Sequence, residues 1–198
     1  MDKKESLCLA MIIGDGHIRK DKPELSVSHS AKYKEYIDWK ASELSKVLGK
    51  QVNVYPVISG KYESFRFSAT DAIFNELRPY CYESCGNSII TREVLEKLDS
   101  KAIAIWYMDD GSLVAKKRNG KIHAYDLTIS TYCDLQSVNN IVDYFNQKYG
   151  IKFTIKKNKG KFSVRCGTKQ ARKFIKIVEP HIVKCMEYKT QISECKFN

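Results

Sequence analysis

Two aspartate–glycine pairs stand at the ends of two strongly apolar runs. Ala10-Met-Ile-Ile-Gly-Asp15-Gly16 recurs 95 residues later as Ile105-Trp-Tyr-Met-Asp-Asp110-Gly111. Glycine just past a helix is an ordinary stop, and a single Asp-Gly would mean no more than that. An aspartate at a helix C-terminus, however, faces the negative end of the helix dipole and is disfavoured there by roughly a few tenths of a kcal/mol. Bringing two such ends together sets two carboxylates beside two negative dipole ends, which raises their pKa values or demands a cation. A hard divalent metal held by carboxylate and main-chain oxygens meets that demand. A metal between two carboxylates, next to a basic groove, suits in-line hydrolysis of a phosphodiester.

The elements carrying these aspartates follow from hydropathy. Residues 6–14 and Ala102 to Met108 are apolar nearly all round, so each predicts a buried helix rather than an amphipathic one. Packed together at a pseudo-twofold axis, the two helices satisfy each other, and Ala10, Gly14, Ala102 and Ala104 are small enough for a close approach. The duplication continues beyond them. Leu25-Ser-Val-Ser28 matches Leu127-Thr-Ile-Ser130, and a helix from Tyr33 to Leu48 before Gly49 matches one from Leu135 to Tyr149 before Gly150. Period-two runs follow: Val52 to Tyr55 and Ser64 to Ser68 in the first copy, Lys152 to Lys156 and Lys161 to Cys166 in the second. Gly60-Lys61 and Lys159-Gly160 read as the hairpin turns between them. A helix from Asp71 to Arg78 before Pro79, and one from Lys169 to Glu179 before Pro180, close the two copies. The expectation is an α+β chain of two αββαββα halves, residues 1–98 and 99–198, each with a four-stranded antiparallel sheet.

Helices cover one face of each sheet and leave the other open. That face would carry Ser26, Ser28, Ser30 and Arg66 in the first half, and Thr128, Ser130 and Arg165 in the second. Hydroxyls and guanidinium groups on one face are what reads base edges in a groove. His17 and Arg19, on the strand after the first motif, are expected to touch DNA as well. The net charge of +11 sharpens the point. Residues 1–100 hold 15 basic and 15 acidic side chains, and residues 101–198 hold 19 and 8. The excess gathers at Lys116, Lys117, Arg118 and Lys121 around an Asn119-Gly120 turn, and at Lys156, Lys157, Lys159 and Lys161 around the second, with Lys61 at the matching tip of the first half. A one-sided basic field selects a polyanion.

On these residues the chain resembles the single-chain LAGLIDADG homing endonucleases. Cys8-Leu-Ala-Met-Ile-Ile-Gly-Asp-Gly16 and Ile103-Ala-Ile-Trp-Tyr-Met-Asp-Asp-Gly111 look like the family's two motifs, and the duplicated element order extends the likeness over about residues 5–190. The Trp-Tyr-Met-Asp-Asp-Gly copy is similar to the subgroup that includes the yeast mitochondrial intron endonuclease. The resemblance implies a saddle of two sheets on double-stranded DNA, with Asp15 and Asp110 binding Mg²⁺ (or Mn²⁺) beside the scissile phosphates. It adds the carbonyls of Gly14 and Asp109 to the coordination, the Asp109 side chain being left to stabilise the helix end. Hydrolysis of both strands of a long asymmetric site, with short 3′ overhangs, is the implied reaction. Lys189, in Cys185-Met-Glu-Tyr-Lys189, matches the second half's charge-stabilising lysine. In the first half Asn87 stands where a lysine is usual, so unequal cutting of the two strands is expected. The same scaffold also serves intron RNA maturases, and a chain that binds DNA with weakened cleavage is a further alternative.

Other chemistries fit less well. Tyr107-Met-Asp-Asp110 matches the YMDD of reverse transcriptases, but here it ends an apolar helix and has a duplicate at Asp15. Seven cysteines without a CxxC, and no phosphate-binding glycine loop, argue against a zinc site and nucleotide chemistry. The longest apolar stretch, Leu7 to Ile13, is far short of a membrane span, and no secretory pattern opens the sequence. A monomer in the cytoplasm, or in an organelle matrix if organelle-encoded, is the expected form, since the two halves already supply the twofold.

Overall fold

The computed structural model describes residues 2–83, 85–158 and 160–193. Its first half runs α1 (Lys3–Ile13), β1 (Gly16–Ile18), β2 (Glu24–Ser30), α2 (Lys34–Leu48), β3 (Tyr55–Ser59), β4 (Tyr62–Thr70) and α3 (Ile73–Cys81). A short α4 (Arg92–Glu96) leads into the second: α5 (Ser100–Asp110), β5 (Gly111–Arg118), β6 (Lys121–Ile129), α6 (Leu135–Tyr149), β7 (Thr154–Asn158), β8 (Lys161–Gly167) and α7 (Thr168–Val178). Short 3₁₀ turns span Glu179–His181 and Lys184–Lys189. The sheets have matching strand orders, β1-β2-β4-β3 and β5-β6-β8-β7, all antiparallel.

The duplicated αββαββα pattern is therefore the architecture. Both long helices stop where expected, at Gly49 (φ 66°) and Gly150 (φ 61°), in the left-handed conformation that glycine adopts freely. Asn119 (φ 52°) and Gly120 (φ 76°) form the β5–β6 hairpin tip, both with the positive φ that matches strand twist. Several boundaries differ from the sequence reading, among them the start of β7 at Thr154 and of α3 at Ile73. Residues 52–54 precede β3, because Val52 packs into the core instead of joining the ladder. Pro79 lies inside α3, which continues to Cys81. Neither motif glycine is a left-handed cap: Gly16 opens β1, and Gly111 is extended (φ −82°, ψ 149°) and opens β5.

α1 and α5 pack against each other at the centre, with Leu7 to Ile12 and Ala102 to Met108 all buried. One apolar core runs through both halves. The C-terminal ends of the two helices meet, with Gly14 against Asp109, and bring the two motif aspartates into one region.

Candidate functional site

α1 and α5 do not end alike. α1 stops at Ile13, and Gly14 turns the chain out of the helix with φ −86° and ψ −127°. A Cβ on Gly14 would lie 2.2 Å from Asp109 Oδ2, so only glycine admits the carboxylate of the opposite motif there. α5 continues through Asp109 and Asp110. Asp109 therefore projects across the pseudo-twofold, and its Oδ2 accepts the Asp15 backbone N–H at 3.1 Å.

The three carboxylates sit in different surroundings. Asp15 is the open one, with its side chain 41% exposed. Burial, with the Asp109 charge adding to it, raises its pKa to about 6. Asp110 is more enclosed, and burial followed by the charges of Asp109 and Asp15 raises it to about 8. Its one side-chain partner among the described residues is Trp106 Nε1, which donates to Oδ2 at 3.2 Å. Asp109 is fully buried and fully partnered. Lys40 Nζ donates to its Oδ2 at 2.7 Å and Oδ1 at 3.0 Å, and the Tyr36 hydroxyl donates to Oδ1 at 2.7 Å. Asp15 and Asp110 are two carboxylates with raised pKa values and no lysine or arginine in ion-pair contact among the described residues. By chemistry Asp15 and Asp110 each suit a hard divalent cation, whereas the ligand atoms that lie within 4.8 Å of one another among the described residues are those of Asp15, His29 and Asp109. The Asp109 carboxylate does not fit as a ligand, because four hydrogen bonds already occupy it.

Lys189 reaches the same place from the C-terminal 3₁₀ turn. Its Nζ donates to the Met108 carbonyl at 2.5 Å and weakly to that of Asp109 at 3.4 Å. The Tyr107 hydroxyl donates to the Lys189 carbonyl at 2.7 Å, which ties the turn to α5. Burial lowers the pKa of this ammonium. Asn87 is not brought into the cluster: it is exposed, and its amide donates to Glu83 Oε2 at 3.1 Å.

Two residues at the centre escaped the sequence reading. His29 lies on β2 between Ser28 and Ser30, and alternation turns it to the covered face. Its Nδ1 is 3.5 Å from Asp15 Oδ2, and its Nε2 is buried without a partner, 3.9 Å from Asp109 Oδ1. Burial and the Lys40 charge depress its pKa to about 4, so the ring is neutral at pH 7. A histidine inside an otherwise apolar–polar alternation was the available signal. Lys40 is the second; its only mark in sequence is a charged residue on the covered side of the Tyr33–Leu48 helix.

The open face is built as expected. Ser28, Arg66 and Tyr55 lie side by side across β2, β4 and β3. Ser112, Thr128, Arg165 and Thr154 form a similar row across the second sheet, one in register with the His17–Ser26–Ser68 row of the first. Some groups are already engaged. Ser28 Oγ donates to the Phe65 carbonyl at 3.3 Å, and Arg19 makes a bidentate pair with Asp21 at 2.6 and 2.9 Å. Asp126, which the sequence reading passed over, lies between Lys116 (3.1 Å) and Arg165 (3.4 Å). His17, Ser30, Lys61, Lys117, Arg118, Lys121, Lys156, Lys157 and Lys161 are exposed, while Ser26 and Ser130 are half-buried. Lys159 lies outside the described residues.

Two packed motif helices that each deliver an aspartate, with a pair of antiparallel sheets carrying cations along their open face, define a DNA-endonuclease type of scaffold. The chain belongs to the LAGLIDADG DNA endonuclease family, whose model matches residues 6–174. It is similar to the homing endonuclease I-WcaI, solved bound to its DNA recognition sequence, with a TM-score of 0.78 and 22% identity over 96% of this chain and 87% of that one. I-DmoI, solved with its target DNA and Mg, shares the fold at a TM-score of 0.52 and 14% identity, over 89% of this chain and 95% of that one. Among curated proteins, a RecA of Mycobacterium gastri is 26% identical over 95% of this chain and 47% of that protein. A probable intron-encoded endonuclease of Wickerhamomyces canadensis is 24% identical over 94% of this chain and 83% of its own length. The chain thus spans about half the length of the RecA proteins it matches.

Proposed function

We propose that this chain is a site-specific homing endonuclease that hydrolyses both strands of a long, asymmetric DNA target in a metal-dependent reaction, leaving short 3′ overhangs. The observation that carries the reading is the pair Asp15 and Asp110 at converging helix ends, both with raised pKa values and neither with a cationic partner within ion-pair distance among the described residues. Such a pair is costly without a cation and useful with one. A bound divalent ion would supply Lewis-acid stabilisation of phosphate oxygens and a nucleophilic water. The chain's own groups do the rest. Asp15 and Asp110 would hold the ions, Lys189 adds positive charge that reaches both carboxylates, and the neutral His29 imidazole offers a hydrogen bond next to Asp15. The two sheets carry the duplex, with lysines at the hairpin tips on phosphates and the Arg66 and Arg165 rows towards base edges.

The test is cleavage of a randomised target library with Mg²⁺ or Mn²⁺, beside Asp15→Asn and Asp110→Asn. Cutting at one long motif by the wild type, lost in both variants, is the expected outcome. A wild type that binds DNA but cuts nothing with either ion overturns the reading and leaves the RNA-maturase or binding-only role.

A further inference from the structure

The lysine buried against Asp109 calls for a reason. Lys40 comes from α2 of the first half, is 0% exposed, and meets a carboxylate of the second half that is also 0% exposed. Burying such a pair brings little net stability compared with apolar residues of the same volume. It does give direction. Two bonds from Lys40 and one from Tyr36 fix the Asp109 carboxylate, and its Oδ2 then holds the Asp15 N–H at the point where α1 has ended. The Tyr36 hydroxyl lies within 3.3 Å of the Ile105 carbonyl as well, which fastens α2 to α5.

The device is one-sided. α2 and α6 align through their terminal glycines, Gly49 and Gly150, which places Ile141 and Ser137 where Lys40 and Tyr36 stand. Gly14 is the counterpart of Asp109, so nothing crosses in the other direction. The Asp110 end is held instead by Trp106, by Ser130 N–H donating to the Asp110 carbonyl at 3.0 Å, and by Lys189.

We infer that Lys40 is a positioning residue: acting through Asp109, it fixes the main chain at Asp15 and so aims the carboxylate of one cleavage site, with no equivalent at the other. The part concerning cleavage rests on the endonuclease reading above. The lock itself does not, and it is read separately.

The experiment compares wild type with Lys40→Met/Asp109→Asn, which removes both charges together so that neither is left buried alone. Amide hydrogen exchange by NMR reports on the lock without catalysis. Asp15 N–H is expected to exchange at least tenfold faster in the folded double variant, with the amides of Gly16 to Ile18 unchanged. With each DNA strand labelled, cleavage of one strand is expected to slow at least tenfold at limiting Mg²⁺ and to recover partly at high Mg²⁺, while the other stays within about twofold. A folded double variant with wild-type protection at Asp15 and a wild-type strand ratio overturns the inference and reduces Lys40 to charge compensation. Equal slowing of both strands also overturns it. If this variant fails to fold, Lys40→Met/Asp109→Leu, an apolar pair of similar volume, is subjected to the same two readouts. A wild type that does not cut at all sinks the endonuclease reading alone, and Asp15 protection still decides the lock.

Discussion

Asp110 carries the sharpest residue-scale consequence. Its pKa is raised to about 8 in the fold against an ordinary 3.8, so the folded metal-free protein binds the extra proton between those values. A raised folded-state pKa contributes stability that is full below about pH 4 and is lost as pH rises towards 8. Asp15, raised to about 6, adds in the same direction over the lower part of that window. In EDTA the protein is therefore expected to be less stable at pH 8 than at pH 5, by on the order of 3 kcal/mol once water penetration is allowed for, and so to melt at a lower temperature. Asp110→Asn should flatten most of that fall and be the more stable protein at pH 8, while losing cleavage. Calorimetric scans at the two pH values decide it, and stability that rises with pH would sink the assignment. Metal binding must displace the same proton. Titration of Mg²⁺ at pH 7, in buffers of differing ionisation heat, is expected to show release of about one proton per protein.

At the scale of elements, the hairpins separate phosphate contacts from base contacts. Lys117 and Lys121 are exposed on the β5–β6 tip and form no ion pair among the described residues, whereas Lys116 is held by Asp126. Neutralising Lys117 and Lys121 should weaken binding to all sequences alike and reduce the salt slope by about one unit for each lost contact. Neutralising Lys116 should do less. Asp126→Asn should do the opposite: it frees Lys116 and Arg165 and tightens non-specific binding at low salt. Binding isotherms from 50 to about 300 mM salt check both, and an unchanged slope in the lysine variant would contradict the contact assignment. This is also the scale at which the sequence was most readable. Gly49, Gly150 and Asn119-Gly120 marked their elements because positive φ is needed there and few residues tolerate it. The glycines of the two Asp-Gly pairs are not left-handed caps because each serves close approach instead, Gly16 against the Met11 carbonyl and Gly111 against the Tyr107 ring and carbonyl. Spacing exposed the duplication, but His29 and Lys40 became visible only when strand alternation and helix packing turned them inward. Asp126 fell in an alternating strand where one acid among lysines carries no pattern of its own.

Across the whole molecule, the twofold is followed by the backbone and broken by the site. Both sheets have the same order, and both motif helices deliver an aspartate. Around Asp15 stand His29 and the Lys40–Asp109 lock; Asp110 takes a bond from Trp106, and Lys189 bonds the α5 carbonyls just before it. Gly16 pairs with Val27 and Gly111 with Ile129, so the second-half counterpart of His29 is Thr131, which offers no imidazole. The only lysine ammonium bonded to a motif carbonyl among the described residues is Lys189, at the α5 end, and Asn87 faces Glu83 instead of either carboxylate. Two sites with different supporting groups have different barriers, and a difference of 1.36 kcal/mol separates the strands tenfold in rate. The expectation is that supercoiled plasmid carrying the target passes through an accumulating nicked form, with the nick always in the same strand. Strand-labelled duplexes identify which one. Lys189→Met should slow the Asp110 site most, because the ammonium is bonded to the α5 carbonyls that immediately precede Asp110, and its loss leaves the Asp15 lock intact. If the nick then changes strand, the Asp110 site was the faster one in the wild type. If it stays in the same strand with more nicked product, the Asp110 site was already limiting. Conversion straight to linear product by both proteins would show that the asymmetry around the two aspartates does not reach the chemistry.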